Sequence, residues 1–251
     1  MATSDIEVGK QMEMEEQLDF SDPLRHLRNT DELETEILPS QPVSVQNQDI
    51  QLSFTCRVPE DQIQILLKVD ASPGCGGLAW PAGEVLAAYL ALRGREVLNG
   101  KTVVELGSGT GLVGLVAGAL GGKTWITDQL PLLEIMKTNV EINNLTPCVA
   151  VAELNWGEPI PDSLPRSPDL ILAADCVYFE PAFPLLVETL DDLVHNASTE
   201  VLFCYKKRRK ADKRFFALLR KRFTWEEVQD DPNKSVYSRE AISLLRLFKK
   251  L

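Results

Sequence analysis

The stretch VVELGSGTGLVGL, Val103 to Leu115, constrains the fold more than any other part of this 251-residue chain. An apolar run ends in the acid Glu105, and glycines then recur until apolar residues resume. Glycine lets a backbone adopt left-handed turns and approach a ligand closely. The pattern therefore predicts a buried strand, a tight loop and a helix whose N-terminus faces the loop.

The sequence on both sides of this stretch predicts the sheet to which its strand belongs. From residue 101 onward, apolar runs of strand length alternate with segments of helical pattern. Such alternation indicates a largely parallel sheet with helices on both faces. The last two strand candidates, WEEVQ and ISLLRLFKK, have no long helix between them, so we expect the final strand to be antiparallel. We predict an α/β fold with a Rossmann-like sheet of seven strands.

The N-terminal half differs in pattern from the rest. Residues 43–55 alternate apolar and polar around Asn-Gln-Asp and predict a β-hairpin, and residues 63–70 are another strand candidate. Residues 1–36 hold eleven acids against three basic residues, in a chain of net charge −11. We expect an acidic, solvated leader over residues 1–42, with a basic protein partner as the alternative, and a domain over residues 43–251.

Composition narrows the function classes. No apolar run is long enough for a membrane span, and the N-terminus lacks the pattern of a secretory signal. The acidic charge disfavours nucleic acid as a partner. The five cysteines are scattered without a CxxC pair, which predicts free thiols and no metal site. We expect a cytoplasmic protein.

The glycine motif allows two cofactor classes. Gly109-x-Gly111-x-x-Gly114 matches the dinucleotide fingerprint, with Asp128 about twenty residues further on, as in nicotinamide-dependent oxidoreductases. However, Glu105 suits a cationic ligand better than a pyrophosphate, and the motif lies far from the start of the chain. These two features favour another adenosine-bearing ligand.

Further motifs carry a family resemblance. VVELGSGTG resembles motif I of the seven-strand S-adenosylmethionine-dependent methyltransferases. GGLAWPAG around Trp80, LNWGE around Trp156 and ADCVY together resemble the protein-lysine methyltransferases grouped as family 16, whose Asp-x-x-Tyr hallmark stands at Asp175 to Tyr178. The resemblance covers residues 43–250. CYKKRRKADKRFF after the fifth strand resembles the fungal members that methylate translation elongation factor 1-alpha.

The resemblance implies a monomeric enzyme that transfers methyl groups from S-adenosylmethionine to a lysine of a protein. Elongation factor 1-alpha is the expected substrate, with a chaperone or an AAA ATPase as the alternative. A non-catalytic binding module on the same fold is a further alternative. Resemblance and residue chemistry together assign to the cofactor Trp80, Glu105, Gly107, Ser108, Gly109, Asp128, Trp156 and Ala174.

Individual roles follow from chemistry and from the family. The glycine loop would bend beneath the cofactor's methionine part, with backbone donors facing its carboxylate. In the family, the acid at Asp128 holds the ribose hydroxyls; capping a helix before Pro131 is the alternative. In the family, the tryptophan at Trp156 lies beside the adenine, and the one at Trp80 covers the cofactor. The ring of Trp80 would there favour a cation.

Asp175 and Tyr178 are the predicted catalytic residues. A lysine in water has a pKa of about 10.4 and must lose its proton before it can attack a methyl group. Desolvation and a nearby positive charge favour the neutral amine. Asp175 and Tyr178 would then align its lone pair, with water as the proton acceptor. Alternatively, Asp175 caps a turn and Tyr178 packs. The basic run KKRRK, residues 206–210, contacts an acidic substrate surface or is simply solvated.

Overall fold

The computed structural model describes residues 47–57, 62–71, 75–208 and 212–250. Within these ranges the strands are β1 Gln48–Thr55, β2 Gln62–Val69, β3 Thr102–Leu106, β4 Lys123–Asp128, β5 Val149–Glu153, β6 Leu170–Ala174, β7 Glu200–Lys206, β8 Phe223–Glu227 and β9 Ile242–Lys249. The α-helices are α1 Pro81–Arg93, α2 Arg95–Leu98, α3 Leu112–Ala119, α4 Leu133–Ile142, α5 Phe183–Leu193, α6 Asp212–Arg222 and α7 Lys234–Tyr237. The predicted acidic leader lies outside the described residues.

The main sheet confirms the predicted α/β architecture. Its seven strands follow the order β5-β4-β3-β6-β7-β9-β8. Strands β3 to β7 pair in parallel, and β9 pairs antiparallel with both β7 and β8. Because β4 and β6 lie on opposite sides of β3, the strand order switches there, and ligands of such sheets bind beyond the carboxyl ends at that point.

Helices cover both faces of this sheet. Leu86, Leu90 and Leu115, on α1 and α3, are buried in one apolar cluster, which also contains the inward side chains of the hairpin. Phe183 of α5 and Phe215 of α6 are buried in a second cluster. Each face of the sheet therefore has its own core. None of the described helices is both long and apolar enough to cross a membrane.

Small residues bring α3 unusually close to the sheet. A Cβ atom at Gly114 would lie 2.2 Å from Ile126 Cγ2, and one at Gly118 would lie 2.3 Å from Val149 Cγ2. Larger side chains at these two positions would push the helix off the sheet. The close packing fixes the N-terminus of α3 beneath the loop that follows β3.

The predicted N-terminal hairpin is confirmed and is formed by β1 and β2. β1 pairs antiparallel with β2, with Phe54 opposite Ile63, so the partner of residues 48–55 is the strand candidate predicted at residues 63–70; residues 43–46 of the predicted hairpin lie outside the described residues. The physical reason is burial: apolar residues alternate along both strands and face the helices together. Asn139 and Asn143 of α4 hydrogen-bond the main chain of β2 at Lys68 and Leu66, which attaches the hairpin to the helix layer.

Candidate active site

A cavity of about 410 Å³ opens at the carboxyl ends of β3, β4 and β6, where the strand order switches. The loops after these strands line it, together with residues 76–83 before and at the start of α1. Its volume lies within the range of about 300–1,000 Å³ typical of small-molecule sites. All ten residues assigned from the sequence to the cofactor or to catalysis line this cavity.

The glycine loop after β3 forms the floor of the cavity from backbone alone. Gly107 and Gly109 have φ values of 59° and 57°, in the left-handed region that favours glycine. A Cβ atom at Gly109 would lie 2.5 Å from the carbonyl oxygen of Gly76, and one at Gly107 would lie 2.9 Å from Trp156 Cζ2. Only glycine fits these positions, and the space that side chains would fill lies next to the cavity.

Ser108 ties this loop to the neighbouring strand. Its main-chain N–H donates to the carbonyl oxygen of Thr127 at 2.9 Å, and its hydroxyl oxygen accepts from the N–H of Thr127 at 2.9 Å. Ser108 itself is buried. The loop therefore moves only with β4, so the floor of the cavity is fixed before a ligand enters.

Asp128, the last residue of β4, holds the same loop from the other side. Its carboxylate oxygens accept hydrogen bonds from the N–H of Gly109 and from the N–H of Gln129, both at 2.8 Å. Burial raises the pKa of Asp128, and these two hydrogen bonds oppose the rise. The helix-cap alternative is wrong, because Gln129 rather than Asp128 precedes the short 3-10 helix Leu130–Leu132.

Glu105 lies below the loop and is 2% exposed. Its Oε2 atom accepts from the N–H of Gly114 at 2.9 Å, which fastens the end of β3 to the first turn of α3. Burial raises the pKa of Glu105 to about 8, against the hydrogen bond from Gly114. Positive charge in the cavity would stabilise its ionised form.

The remaining residues assigned to the cofactor form walls. Trp80 directly precedes α1, Trp156 lies just after β5, and Ala174 ends β6; all three line the cavity. Trp156 lies against Gly107, so a flat apolar ring forms one wall directly above the glycine floor. The small side chain of Ala174 leaves the end of β6 open to this space.

Asp175 follows β6 in a backbone conformation that few residues tolerate. Its φ is 58°, a value that aspartate adopts more readily than most side chains. The side chain is buried and lines the cavity, and both carboxylate oxygens accept hydrogen bonds from the guanidinium of Arg208 at 2.7 and 2.6 Å. The N–H of Lys206 also donates to Asp175, at 3.2 Å.

Tyr178 stands at the mouth of the cavity, in contrast to Asp175. It is 41% exposed, and its neighbour Phe179 is 43% exposed, so neither side chain packs in the core.

Cys176 lies between Asp175 and Tyr178 in the sequence and is buried. Its thiol donates to the carbonyl oxygen of Leu106 at 3.3 Å. Burial and then nearby carboxylates raise the pKa of Cys176 well above its usual value, which keeps it a thiol.

Arg208 is the site residue that sequence reasoning missed. It belongs to the basic run KKRRK, but its side chain points into the cavity, where it pairs with Asp175 and lies 5.6 Å from the centre of the Trp80 ring. The position of the run directly after β7, at the edge where ligands bind, was the signal available in the sequence. The two predicted outcomes for this run, a substrate contact or simple solvation, do not describe Arg208.

The strand order, the glycine floor and the acid at the end of β4 define a methyltransferase of the seven-strand class. The model of a family described as lysine methyltransferase matches residues 59–222. The chain belongs to this family. This membership decides between the two interpretations of the glycine motif in favour of the methyltransferase.

Individual relatives of the chain are also named as lysine methyltransferases. The chain is 42% identical over 202 residues to the protein-lysine N-methyltransferase EFM6 of Saccharomyces cerevisiae, covering 70% of this chain and 82% of that protein. It is 41% identical over 167 residues to the protein N-lysine methyltransferase METTL21A of Mus musculus, covering 65% of this chain and 76% of that protein. The chain is accordingly a protein-lysine methyltransferase.

Among solved structures, the fold is similar to the Thermus thermophilus 16S rRNA N2 G1207 methyltransferase RsmC in complex with AdoMet and guanosine. The TM-score is 0.51 at 16% identity, covering 80% of this chain and 51% of that one. Family membership implies S-adenosyl-L-methionine as the cofactor here. The residues present fit it, since a glycine floor without room for Cβ atoms, a buried acid and an aromatic wall surround one cavity.

Proposed function

We propose that this enzyme methylates a lysine of translation elongation factor 1-alpha at the cavity beyond β3, β4 and β6. The observation that carries the catalytic part is the shared cavity, in which the glycine floor faces the buried Asp175 and the exposed Tyr178. A long side chain can enter past Tyr178 and reach Asp175, whereas the bulk of a folded substrate stays outside. We expect the protein to act as a cytoplasmic monomer.

The cofactor half of the cavity would hold S-adenosylmethionine through fixed groups. Main-chain donors of the loop at Gly107 to Gly109 would meet its carboxylate, and Asp128 would accept from its ribose hydroxyls. Trp156 and Ala174 would border the adenosine, and Trp80 would close the remaining side. When bound, the cofactor supplies an electrophilic methyl group on a positively charged sulfur. Glu105 would influence the cofactor from below the glycine loop, because its carboxyl group accepts a hydrogen bond from Gly114 of α3.

The acceptor half would orient the lysine. Asp175 is held by three hydrogen bonds, so its carboxylate presents a fixed edge, and Tyr178 at the mouth would contact the amine and its alkyl chain. Together they would orient the neutral amine towards the methyl group that the bound cofactor supplies. The proton lost from the lysine passes to water. The rate gain comes from alignment of the reacting atoms.

The substrate part of the proposal is supported by the CYKKRRKADKRFF segment, whose resemblance is to enzymes that act on elongation factor 1-alpha. Tritiated S-adenosylmethionine would be incubated with the enzyme and, in parallel, purified elongation factor 1-alpha, a chaperone and an AAA ATPase. We expect labelling of the elongation factor, with a methylated lysine found by mass spectrometry. Labelling confined to either of the other proteins would contradict this assignment.

A calorimetric titration tests the identity of the cofactor. Calorimetry with S-adenosylmethionine, S-adenosylhomocysteine and NAD should show micromolar binding of the first two and none of NAD. Binding of NAD alone would contradict the proposal. Labelling of protein lysines by the wild-type enzyme, whichever substrate is found, separates the enzyme from a binding module that only retains the fold.

A further inference from the structure

Asp175, whose carboxylate is proposed to orient the lysine, already forms an ion pair with a cationic side chain. Arg208 makes a bidentate ion pair with Asp175, and the two side chains are only 14% and 5% exposed. Parallel N–H···O bonds between a guanidinium and a carboxylate are among the stronger polar contacts in proteins. Breaking one partner of a buried ion pair is strongly destabilising, which favours a pair that persists when substrate enters.

Two further contacts hold Arg208 in this position. Its main-chain N–H donates to Asp212 Oδ2 at 2.9 Å, which fixes the residue at the start of α6. Its guanidinium carbon lies 5.6 Å from the centre of the Trp80 ring, where a cation is attracted to the aromatic face. The arginine is therefore held by main chain, carboxylate and ring together.

The hydrogen bonds of Asp175 leave room for one more donor. Oδ1 accepts from Arg208 Nη1 and from the N–H of Lys206, and Oδ2 accepts from Arg208 Nη2. A carboxylate has about four acceptor positions, so one remains, on Oδ2. A lysine amine can donate to Oδ2 without displacing Arg208, but it then lies beside a guanidinium.

Other titratable groups surround the pair from several elements. Carboxyl groups belong to Glu105 at β3, Asp128 at β4 and Asp212 at α6. Among the described residues, neighbouring segments also carry Cys176, Tyr178, Cys204 and Lys206. Asp128 and Glu105 are engaged with the main chain of the glycine motif. Within the part of the chain that the structure describes, Arg208 is the charged side chain that pairs directly with Asp175.

On the basis of the proposed function, we propose that Arg208 is a positioning residue for methyl transfer: its ion pair with Asp175 cancels the carboxylate charge, so the substrate lysine binds as the neutral amine. Without Arg208, Asp175 would be a buried, unpaired carboxylate and would bind the lysine as an ammonium ion. An ammonium ion has no lone pair and cannot accept a methyl group. A neighbouring cation is a known means of keeping a lysine neutral.

The first test compares pH profiles for the wild type, Arg208→Met and Arg208→Lys. The substrate is the protein that the wild-type enzyme labels, with elongation factor 1-alpha as the first probe. We expect the pH midpoint of kcat to rise by about one to three units in Arg208→Met, because a charge of this kind shifts a neighbour's pKa by that amount. KM should fall, and Arg208→Lys should restore most of the wild-type midpoint.

The second test measures the protons released when substrate binds, rather than the rate of methyl transfer. Calorimetry of substrate binding to the S-adenosylhomocysteine complex, in buffers of different ionisation enthalpy, gives the protons released on binding. We expect about one proton per lysine for the wild type and clearly less for Arg208→Met. The double variant Asp175→Asn/Arg208→Met removes both charges and should return proton release towards the wild-type value. Arg222→Met, whose arginine pairs with Asp191 outside the cavity, is the matched control.

The outcomes are distinguishable. A higher kcat/KM for Arg208→Met at every pH, with an unchanged midpoint and unchanged proton release, would overturn the proposal and make Arg208 a group that the lysine displaces. Unchanged kinetics throughout would also overturn it. Absence of any transfer by the wild type would instead contradict the proposed function. Cofactor affinity and melting temperature, measured for each variant, establish that it has folded.

Discussion

The cofactor half and the acceptor half of the cavity are built from different kinds of groups, main chain in the floor of one and side chains in the other. The floor of the cofactor half is made of backbone, with Gly107 and Gly109 in left-handed conformations and Asp128 accepting a hydrogen bond from a main-chain N–H. The acceptor half is made of side chains, where Asp175 meets Arg208 across 33 residues of sequence. A floor built from backbone has no room for an added Cβ atom, whereas a half built from side chains can be altered by substitution. The predictions test this contrast.

The largest effect is expected from Gly109→Ala. The new Cβ would lie 2.5 Å from the Gly76 carbonyl oxygen in a left-handed backbone, so the loop must shift. Overpacking and backbone strain of about 3 kcal/mol would weaken S-adenosylmethionine binding about 100-fold, measured by calorimetry. Gly100→Ala is the matched control, because Gly100 also has positive φ but no atom lies within 4 Å of its Cβ position. Equal loss of affinity in both variants would contradict a steric cause.

Asp175→Asn should separate the two halves. Asparagine tolerates the left-handed backbone, so the fold is kept while the ion pair with Arg208 is lost. We expect kcat to fall about 100-fold because the acceptor is no longer aligned, while the cofactor Kd changes less than about threefold. Asp191→Asn is the control, since that carboxylate pairs with Arg222 and Lys249 away from the cavity. A parallel loss of cofactor affinity would assign Asp175 to the cofactor half.

Asp128→Ala should have the opposite pattern. Two hydrogen bonds to main-chain N–H groups disappear, and at about 1 kcal/mol each the cofactor Kd should rise between 10- and 100-fold. Asp169→Ala removes a similar contact, to the N–H of Thr102 at the opposite end of β3, and should cost stability without changing the Kd. An unchanged Kd for Asp128→Ala would remove this residue from the cofactor half.

The contrast between the halves also explains what the sequence could predict. Gly107, Gly109 and Asp128 lie in short segments whose spacing reflects backbone geometry, and the structure brings them together as expected. Arg208 could not be assigned, because its role depends on a side-chain direction and on the unusual φ of Asp175. A run of basic residues contains no information on which member turns inward.

The same reasoning applies to the fold. The seven-strand sheet and its antiparallel last strand follow from alternation along the chain, which is a local property. The hairpin is present as expected, but the turn-like Asn-Gln-Asp does not reveal that residues 48–55 pair with residues 62–69, because this pairing depends on alternation over a longer distance. The pairing is decided by burial of both strands against the helices, with Asn139 and Asn143 binding the edge of β2.

The smallest effect at neutral pH is expected from Glu105→Gln, which changes pH dependence rather than contacts. Burial raises the pKa of Glu105 from 4.5 to about 8, so between these values the folded protein holds a proton that the unfolded chain releases. The stability contributed by this group is therefore complete below its unfolded pKa and is lost as pH rises through about 8. Glutamine does not titrate, and its oxygen can still accept from Gly114.

The melting temperature of the wild type should therefore fall, relative to that of Glu105→Gln, as pH rises through this window. Glu96→Gln, at an exposed glutamate of α2, should follow the wild type and is the matched control. Parallel curves for the wild type and Glu105→Gln would show that Glu105 is already ionised in the folded protein. In that case the cofactor half would contain a permanent negative charge below its floor, and its contrast with the charge-balanced acceptor half would be sharper still.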